Sequence, residues 1–174
     1  SVGTLNSGSQ TWNGGGAYQF ELSSAGSSAG MDRLTITGTL DVRATSGNKL
    51  TVKVVSMADN TTPGLVPDFD GNTSYPWVIA TASGGILNFD PAAFAIDANA
   101  FTNTYSGTFS VAVQGSNLVM NYTASLFTIS SSGPLSGTSF PLTFSGPSGQ
   151  SYQVLTSTDV ALSLASWTVL TTGT

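Results

Sequence analysis

This 174-residue sequence predicts an all-β fold, and three observations predict it. Apolar and polar residues alternate at period two through segment after segment, which sets one face of a strand against the core. Gly, Asn and Ser clusters separate those segments, as turns require. Val and Thr, whose branched Cβ suits a pleated surface, are frequent throughout, and only one segment offers a helical reading. The expected arrangement is an antiparallel β-sandwich of jelly-roll type with a small C-terminal β-module. A β-solenoid is the alternative, because parallel coils and antiparallel sandwiches leave similar one-dimensional patterns.

The elements follow in order. "AYQFEL" puts Tyr18, Phe20 and Leu22 on one face. "RLTITGTLDV" does the same with Leu34, Ile36, Leu40 and Val42, leaving Thr and Asp opposite. "LTVKVV" groups Leu50, Val52 and Val54 against Lys53. Gly47 and Asn48 between these two segments predict a hairpin turn. "YPWVIATA" is more continuously apolar, so burial on both faces is expected, with Trp77 in the core. "GTFSVAVQGSNLVMNYTA" reads as a hairpin: Phe109, Val111 and Val113 alternate, "QGSN" turns, and Leu118, Met120 and Tyr122 return. In "DPAAFAIDANAFTN", Asp90 can cap and Pro91 can occupy a first helical position. Phe94, Ile96 and Phe101 complete no helical stripe, so only one or two short turns are expected there. "SFPLTFSG", "SYQVLTST" and "SWTVLTTG" continue the strand pattern, and Trp167, alternating with Val169, is expected to pack inward.

Residues 1–126 are expected to form the main β domain, opening on an extended N-terminal segment. Residues 127–137 read as a Ser/Gly/Pro linker, and 138–174 as a small module that packs on the first or is completed by a neighbour.

Charge excludes several functions. Charged residues are 7% of the chain and the net charge is −5. The four basic residues all fall between Arg33 and Lys53, too few for a phosphate-binding surface, so no nucleic-acid partner is expected. No apolar run approaches the ~20 residues of a membrane-spanning helix. Cysteine is absent, which removes disulfides and thiolate metal sites.

Two motifs imitate catalytic ones. "GSSAG", Gly26 to Gly30, matches the Gly-x-Ser-x-Gly of a hydrolase nucleophile elbow. That serine needs a base, usually His, and the chain contains no His. The flanks also lack the strand-then-helix context, so the stretch reads as a loop. "SGNK", Ser46 to Lys49, matches Ser-x-x-Lys but lies in a turn rather than a helix. Glu21 is the sole Glu and the Asp residues are scattered, so no carboxylate pair is marked out. A non-enzymatic protein is expected.

Binding residues are fewer. In "PDFDGNTS", Asp68, Asp70 and Asn72 supply hard oxygen ligands at alternate positions, with Gly71 for a sharp turn. This is a candidate Ca²⁺ site, although no bidentate Glu follows. Trp12, beside three glycines, and Tyr75 are candidates for ligand or partner contact, a sugar ring being the natural occupant of an aromatic face.

"WNGGGAYQFEL", "AGMDRLTITGTLDV", "SYPWVIATASGGILNF" and "LVMNYT" together resemble the C-terminal passenger region of large secreted bacterial proteins with autotransporter-associated β-strand repeats. "FPLTFSGPSGQSYQVLTSTDVALSLASWTVLTTGT" resembles the small β-module that often follows it. The resemblance implies export, a solenoid or sandwich body, an extracellular or cell-surface role, and no active site. Similar modules carry a further strand after the Trp167 segment. With the sequence ending at Thr174, the module is expected to present an open edge, a template for pairing. The uncharged segment 1–12 is the expected strand donor. The functional expectation is a structural subunit that pairs with copies of itself in a filament or surface layer. The alternative is a carbohydrate-binding or adhesion module with a polysaccharide partner.

Overall fold

The computed structural model describes residues 1–131, 142–146 and 151–173. Two compact units divide it, Ser1–Ala124 and Ser125–Thr174.

The first unit winds three coils of three strands. The first coil holds β1 (Thr4–Ser7), β2 (Gln10–Trp12) and β3 (Ala17–Leu22). The second holds β4 (Arg33–Ile36), β5 (Leu40–Val42) and β6 (Leu50–Ser56), and the third β7 (Tyr75–Ala82), β8 (Ile86–Leu87) and β9 (Phe94–Ala100). Equivalent strands stack in parallel into three walls, β1-β4-β7, β2-β5-β8 and β3-β6-β9. The all-β expectation holds, and its solenoid form describes this body; antiparallel pairing on these walls is confined to one hairpin. That hairpin, β10 (Thr108–Gln114) and β11 (Asn117–Thr123), lays β11 antiparallel on β7 and ends the first wall. It forms where "QGSN" predicts it, with Gln114 opposite Asn117.

The stacking explains why period two looked like a sandwich. Each inward residue stands on an inward residue of the next coil, so alternation survives although the partner is a whole coil away. Tyr18, Val52 and Ile96 form one such column and Trp12 and Val42 another. Phe20, Val52, Val54, Leu40 and Ile79 are fully enclosed between the walls, where each large aliphatic side chain contributes about 1.5–3 kcal/mol.

Corners correct three local expectations. "RLTITGTLDV" is two strands on two walls, because Gly38 turns the chain with φ of 127°, a conformation that glycine adopts without strain. Residues 46–49 form a corner rather than a hairpin: Thr45 and Asn48 exchange backbone hydrogen bonds, yet β5 and β6 lie on different walls. "DPAAFAIDANAFTN" makes the expected short turn at Pro91–Ala93, with the Asp90 side chain accepting from Ala92 N at 2.9 Å. It then continues as β9, where Phe94 stacks on Leu50 and Ile96 on Val52.

β7 carries a bulge against β11, in register with Leu118 and Val119. The extra residue shifts the phase of alternation, which is why Trp77, Ile79, Ala80 and Ala82 are all buried. That is the physical content of the continuous apolar run.

Among its described residues the second unit contains two antiparallel pairs, β12 (Thr128–Ser131) with β13 (Leu142–Ser145), and β14 (Tyr152–Thr156) with β15 (Thr168–Gly173). Part of the expected 127–137 linker is therefore strand β12, and 132–137 lie outside the described residues. Trp167 is half-buried, its Nε1 donating to Leu162 O at 3.1 Å. Leu126, Ile129, Val160, Leu164 and Leu170 are exposed, as a two-stranded pair by itself buries little.

Candidate functional site

The first coil ends in an open mouth. Leu5 pairs in register with Leu34, which pairs with Ala80, so Leu5 belongs to an inward column. Leu34 and Ala80 are buried, whereas Leu5, in the first coil of the described residues, is 67% exposed. A cavity of about 460 Å³ opens there, walled by Leu5, Leu34, Trp12 and Tyr18, with Asp32 and Arg33 at its rim.

Trp12, a candidate contact residue from its sequence alone, points into this coil and is 8% exposed. It stacks on Tyr18 with ring centroids 5.2 Å apart, an arrangement worth about 0.5–1.5 kcal/mol beyond area burial. Tyr18 Oη donates to Ile79 O at 3.1 Å. Burial, reinforced by the nearby Asp32 charge, pushes the Tyr18 hydroxyl above its ordinary range, so it stays protonated. Asp32 is held by Gly3 N at 2.8 Å and Glu21 N at 3.1 Å. Burial raises its carboxyl in spite of those bonds.

Segment 1–12 is thus not a free arm. It is already folded as β1 and β2, paired in parallel with β4 and β5. Among the described residues, β1, β2 and β3 each have one hydrogen-bonded neighbour. Leu5 carries no signal in the sequence, because its exposure depends on three-dimensional stacking and not on local pattern.

The candidate Ca²⁺ residues are engaged separately. Asp68 binds the loop before β4: its Oδ1 accepts from Ala25 N at 2.7 Å, and its Oδ2 from Ser24 Oγ at 2.7 Å and Gly26 N at 3.1 Å. Asp70 instead closes its own turn, accepting from Asn72 N at 2.9 Å and Thr73 Oγ1 at 3.2 Å. Asn72 donates to Asp70 through its side chain as well. Donors aim at the oxygens a cation would use, and no group of three acidic, His or Cys residues converges among the described residues. Asp68 is thus engaged with one loop, and Asp70 and Asn72 with each other in a separate turn. Adding millimolar Ca²⁺ is accordingly expected to leave the melting temperature unchanged; a rise that Asp68→Asn abolishes would restore the metal site.

The same contact disposes of the elbow motif. "GSSAG" is a loop ending in a short turn, Ser28–Gly30, with Ser27 as its cap. The preceding Ala25 O accepts from Trp77 Nε1 at 3.0 Å, and Asp68 fastens the start of the loop. Sequence spacing marks Asp68, and the structure places it against a loop more than forty residues away in the chain.

Tyr75, the other candidate contact, is a packing residue. It lies parallel to Trp77 at 5.4 Å and beside Phe69 at 5.4 Å, and its hydroxyl accepts from Asp70 N at 3.0 Å. Phe101, Tyr105, Phe109 and Tyr122 extend this cluster. Buried Tyr122 bridges two loops, donating to Gly71 O at 2.6 Å and accepting from Gly107 N at 3.0 Å.

The loop carboxylates give a pH signature. Bonds from Thr61 and Thr62 hold Asp59 at about 2. Burial alone would raise Asp68, but the bonds from Ser24, Ala25 and Gly26 outweigh it and lower it. Both groups are lowered by folding, so their contribution is complete above the ordinary carboxylate pKa near 4 and is lost as pH falls toward about 2. Asp32 runs oppositely, since its raised value favours the folded state at low pH. The urea midpoint is expected to fall between about pH 5 and pH 2, and Asp59→Asn should flatten that decline; an unchanged slope would refute the assignment.

No protein family matches this chain, and no curated protein or solved structure does so either. The class rests on geometry alone: an all-β protein whose body is a parallel coil, open at its first turn and closed on one wall by an antiparallel hairpin. None of the described residues forms a helix long and apolar enough to cross a membrane.

Proposed function

We propose that this chain is a non-enzymatic structural subunit of a secreted bacterial assembly, a filament or surface layer whose copies join through β-strand edges. The observation that supports the reading is the first coil, where β1, β2 and β3 each have one hydrogen-bonded neighbour among the described residues and Leu5 of an inward column is exposed. Unpaired strand edges with apolar flanks favour association, and single-domain proteins usually blunt them with charge. Here β1 reads Thr-Leu-Asn-Ser, with no charge at all. The exposed aliphatics of the second unit, on a segment whose one charged residue is Asp159, supply further adhesive surface. The resemblance to passenger regions with autotransporter-associated repeats supports export and a cell-surface location.

Negative-stain electron microscopy and sedimentation of the purified protein test this. Ordered oligomers or fibres growing with concentration are expected; a monodisperse monomer of 17.7 kDa at all concentrations would sink the proposal.

Carbohydrate binding or adhesion remains a second reading, favoured by the Trp12–Tyr18 stack together with Gln10 and Gln19 at the same mouth. Retention on polysaccharide columns that Tyr18→Ala abolishes would support it over strand pairing.

A further inference from the structure

We propose that Asn13–Gly14 is a modification site controlled by folding: the second coil keeps it inert in the folded chain, and unfolding releases it to deamidate into a form that cannot rebuild the first corner. The chemistry is spontaneous, and water is its only co-reactant.

Asn13–Gly14 is the only Asn-Gly pair in the sequence. In this reaction a main-chain nitrogen attacks the side chain of the residue before it, and glycine carries no side chain to obstruct the approach. Gly14 N loses its proton to solvent base and bonds to Asn13 Cγ, and the side-chain nitrogen leaves as ammonia. Water then opens the five-membered imide. Opening at Cγ leaves aspartate at position 13. Opening at the main-chain carbonyl leaves isoaspartate, with the chain now running through Cβ and Cγ. The net change is one water consumed and one ammonia released.

Ring closure requires the peptide plane between residues 13 and 14 to rotate until Gly14 N faces Cγ. The fold anchors that plane on both sides. Asn13 O accepts from Gly16 N at 3.4 Å, and Gly15, at φ of 78°, donates its N–H to Lys49 O at 2.8 Å. Between them Gly14 sits on the corner of the second coil, so closely that a Cβ there would overlap Asn48 O and stand 2.5 Å from Asn48 Cγ. Asn48 is fixed in turn, its N–H donating to Thr45 O and Thr45 Oγ1, each at 3.1 Å. Reaction therefore waits for the two corners to part, which is a local or global opening of the coil.

The isoaspartyl product adds one methylene, about 1.5 Å, to the main chain. It does so where β2 gives way to β3. Trp12 is held in register with Val42 on one wall, and Ala17 with Thr51 on another. Extra length between two fixed registers has no place to go, so the product is excluded from the folded pool. Prolonged unfolding thereby becomes irreversible. Aspartate at the same position adds charge and no length, so it remains compatible with the fold.

The test uses the whole chain in mildly alkaline buffer, with and without guanidinium chloride. Deamidation is followed by its mass gain of about 1 Da in the first tryptic peptide, which ends at Arg33, with fragmentation separating Asn13 from Asn6. Enzymatic methylation counts the isoaspartate. Reaction at Asn13 is expected to be at least about tenfold slower in buffer than in denaturant. Asn48→Gly loosens the second corner without touching the reacting pair, so it should speed the reaction in buffer and leave the rate in denaturant unchanged. Chains with isoaspartate at 13 should fail to regain native circular dichroism when denaturant is removed, whereas Asn13→Asp should regain it. Equal rates in buffer and denaturant overturn the protection. Isoaspartyl chains that refold in step with unmodified ones overturn the exclusion, as does an Asn13→Asp variant that fails to fold.

Discussion

Replacing Trp77 with alanine is expected to destabilise the coiled unit by about 3–5 kcal/mol, the range for removing a buried aromatic side chain. The size follows from its position. Trp77 is 1% exposed, stacks on Tyr75, and lies within 6.4 Å, centroid to centroid, of Phe20 and Phe109. It therefore joins strands from the first and third coils and the closing hairpin. Its Nε1 also holds Ala25 O, the same loop that Asp68 fastens. Trp77→Phe keeps much of the packing but orphans that buried carbonyl, so a smaller loss of about 1–3 kcal/mol is expected. Urea titration followed by far-ultraviolet circular dichroism measures both. A loss below 1 kcal/mol for the alanine variant would show that the aromatic cluster is not what joins the coils.

The second large effect is at a corner. A Cβ on Gly14 would overlap the backbone oxygen of Asn48 and stand 2.5 Å from its Cγ. Gly15 N donates to Lys49 O at 2.8 Å, binding the two corners tightly. Because the obstructing atom is backbone, the clash cannot be relieved by a rotamer change. Gly14→Ala is expected to cost about 1–3 kcal/mol through forced displacement of one coil on the next. Gly47 is the internal control, since a Cβ there meets nothing within 4 Å; Gly47→Ala should change stability by no more than about 0.5 kcal/mol. Equal costs at the two positions would contradict the stacked-corner geometry. The triple glycine after Trp12 was visible in the sequence as a site of close approach, but the object approached was not.

The strength of the coil comes from columns such as Tyr18–Val52–Ile96, which repeat the same contact between coils. At β7 the repetition ends against the antiparallel strand β11, which takes that edge of the first wall.

The sequence by itself determined the strand content, the hairpin at Gln114–Asn117, the short capped turn after Asp90 and the burial of Trp77. All of these depend on local pattern or on turn chemistry. Tertiary structure alone decided that the walls are parallel, that Asp68 clasps a loop, that Trp12 and Tyr18 line a mouth, and that Leu5 is the exposed member of an apolar column. The physical reason is that period two records which face of a strand is buried and nothing about what lies against it. A strand stacked on the next coil and a strand facing another sheet obey the same alternation, and only the three-dimensional path tells them apart.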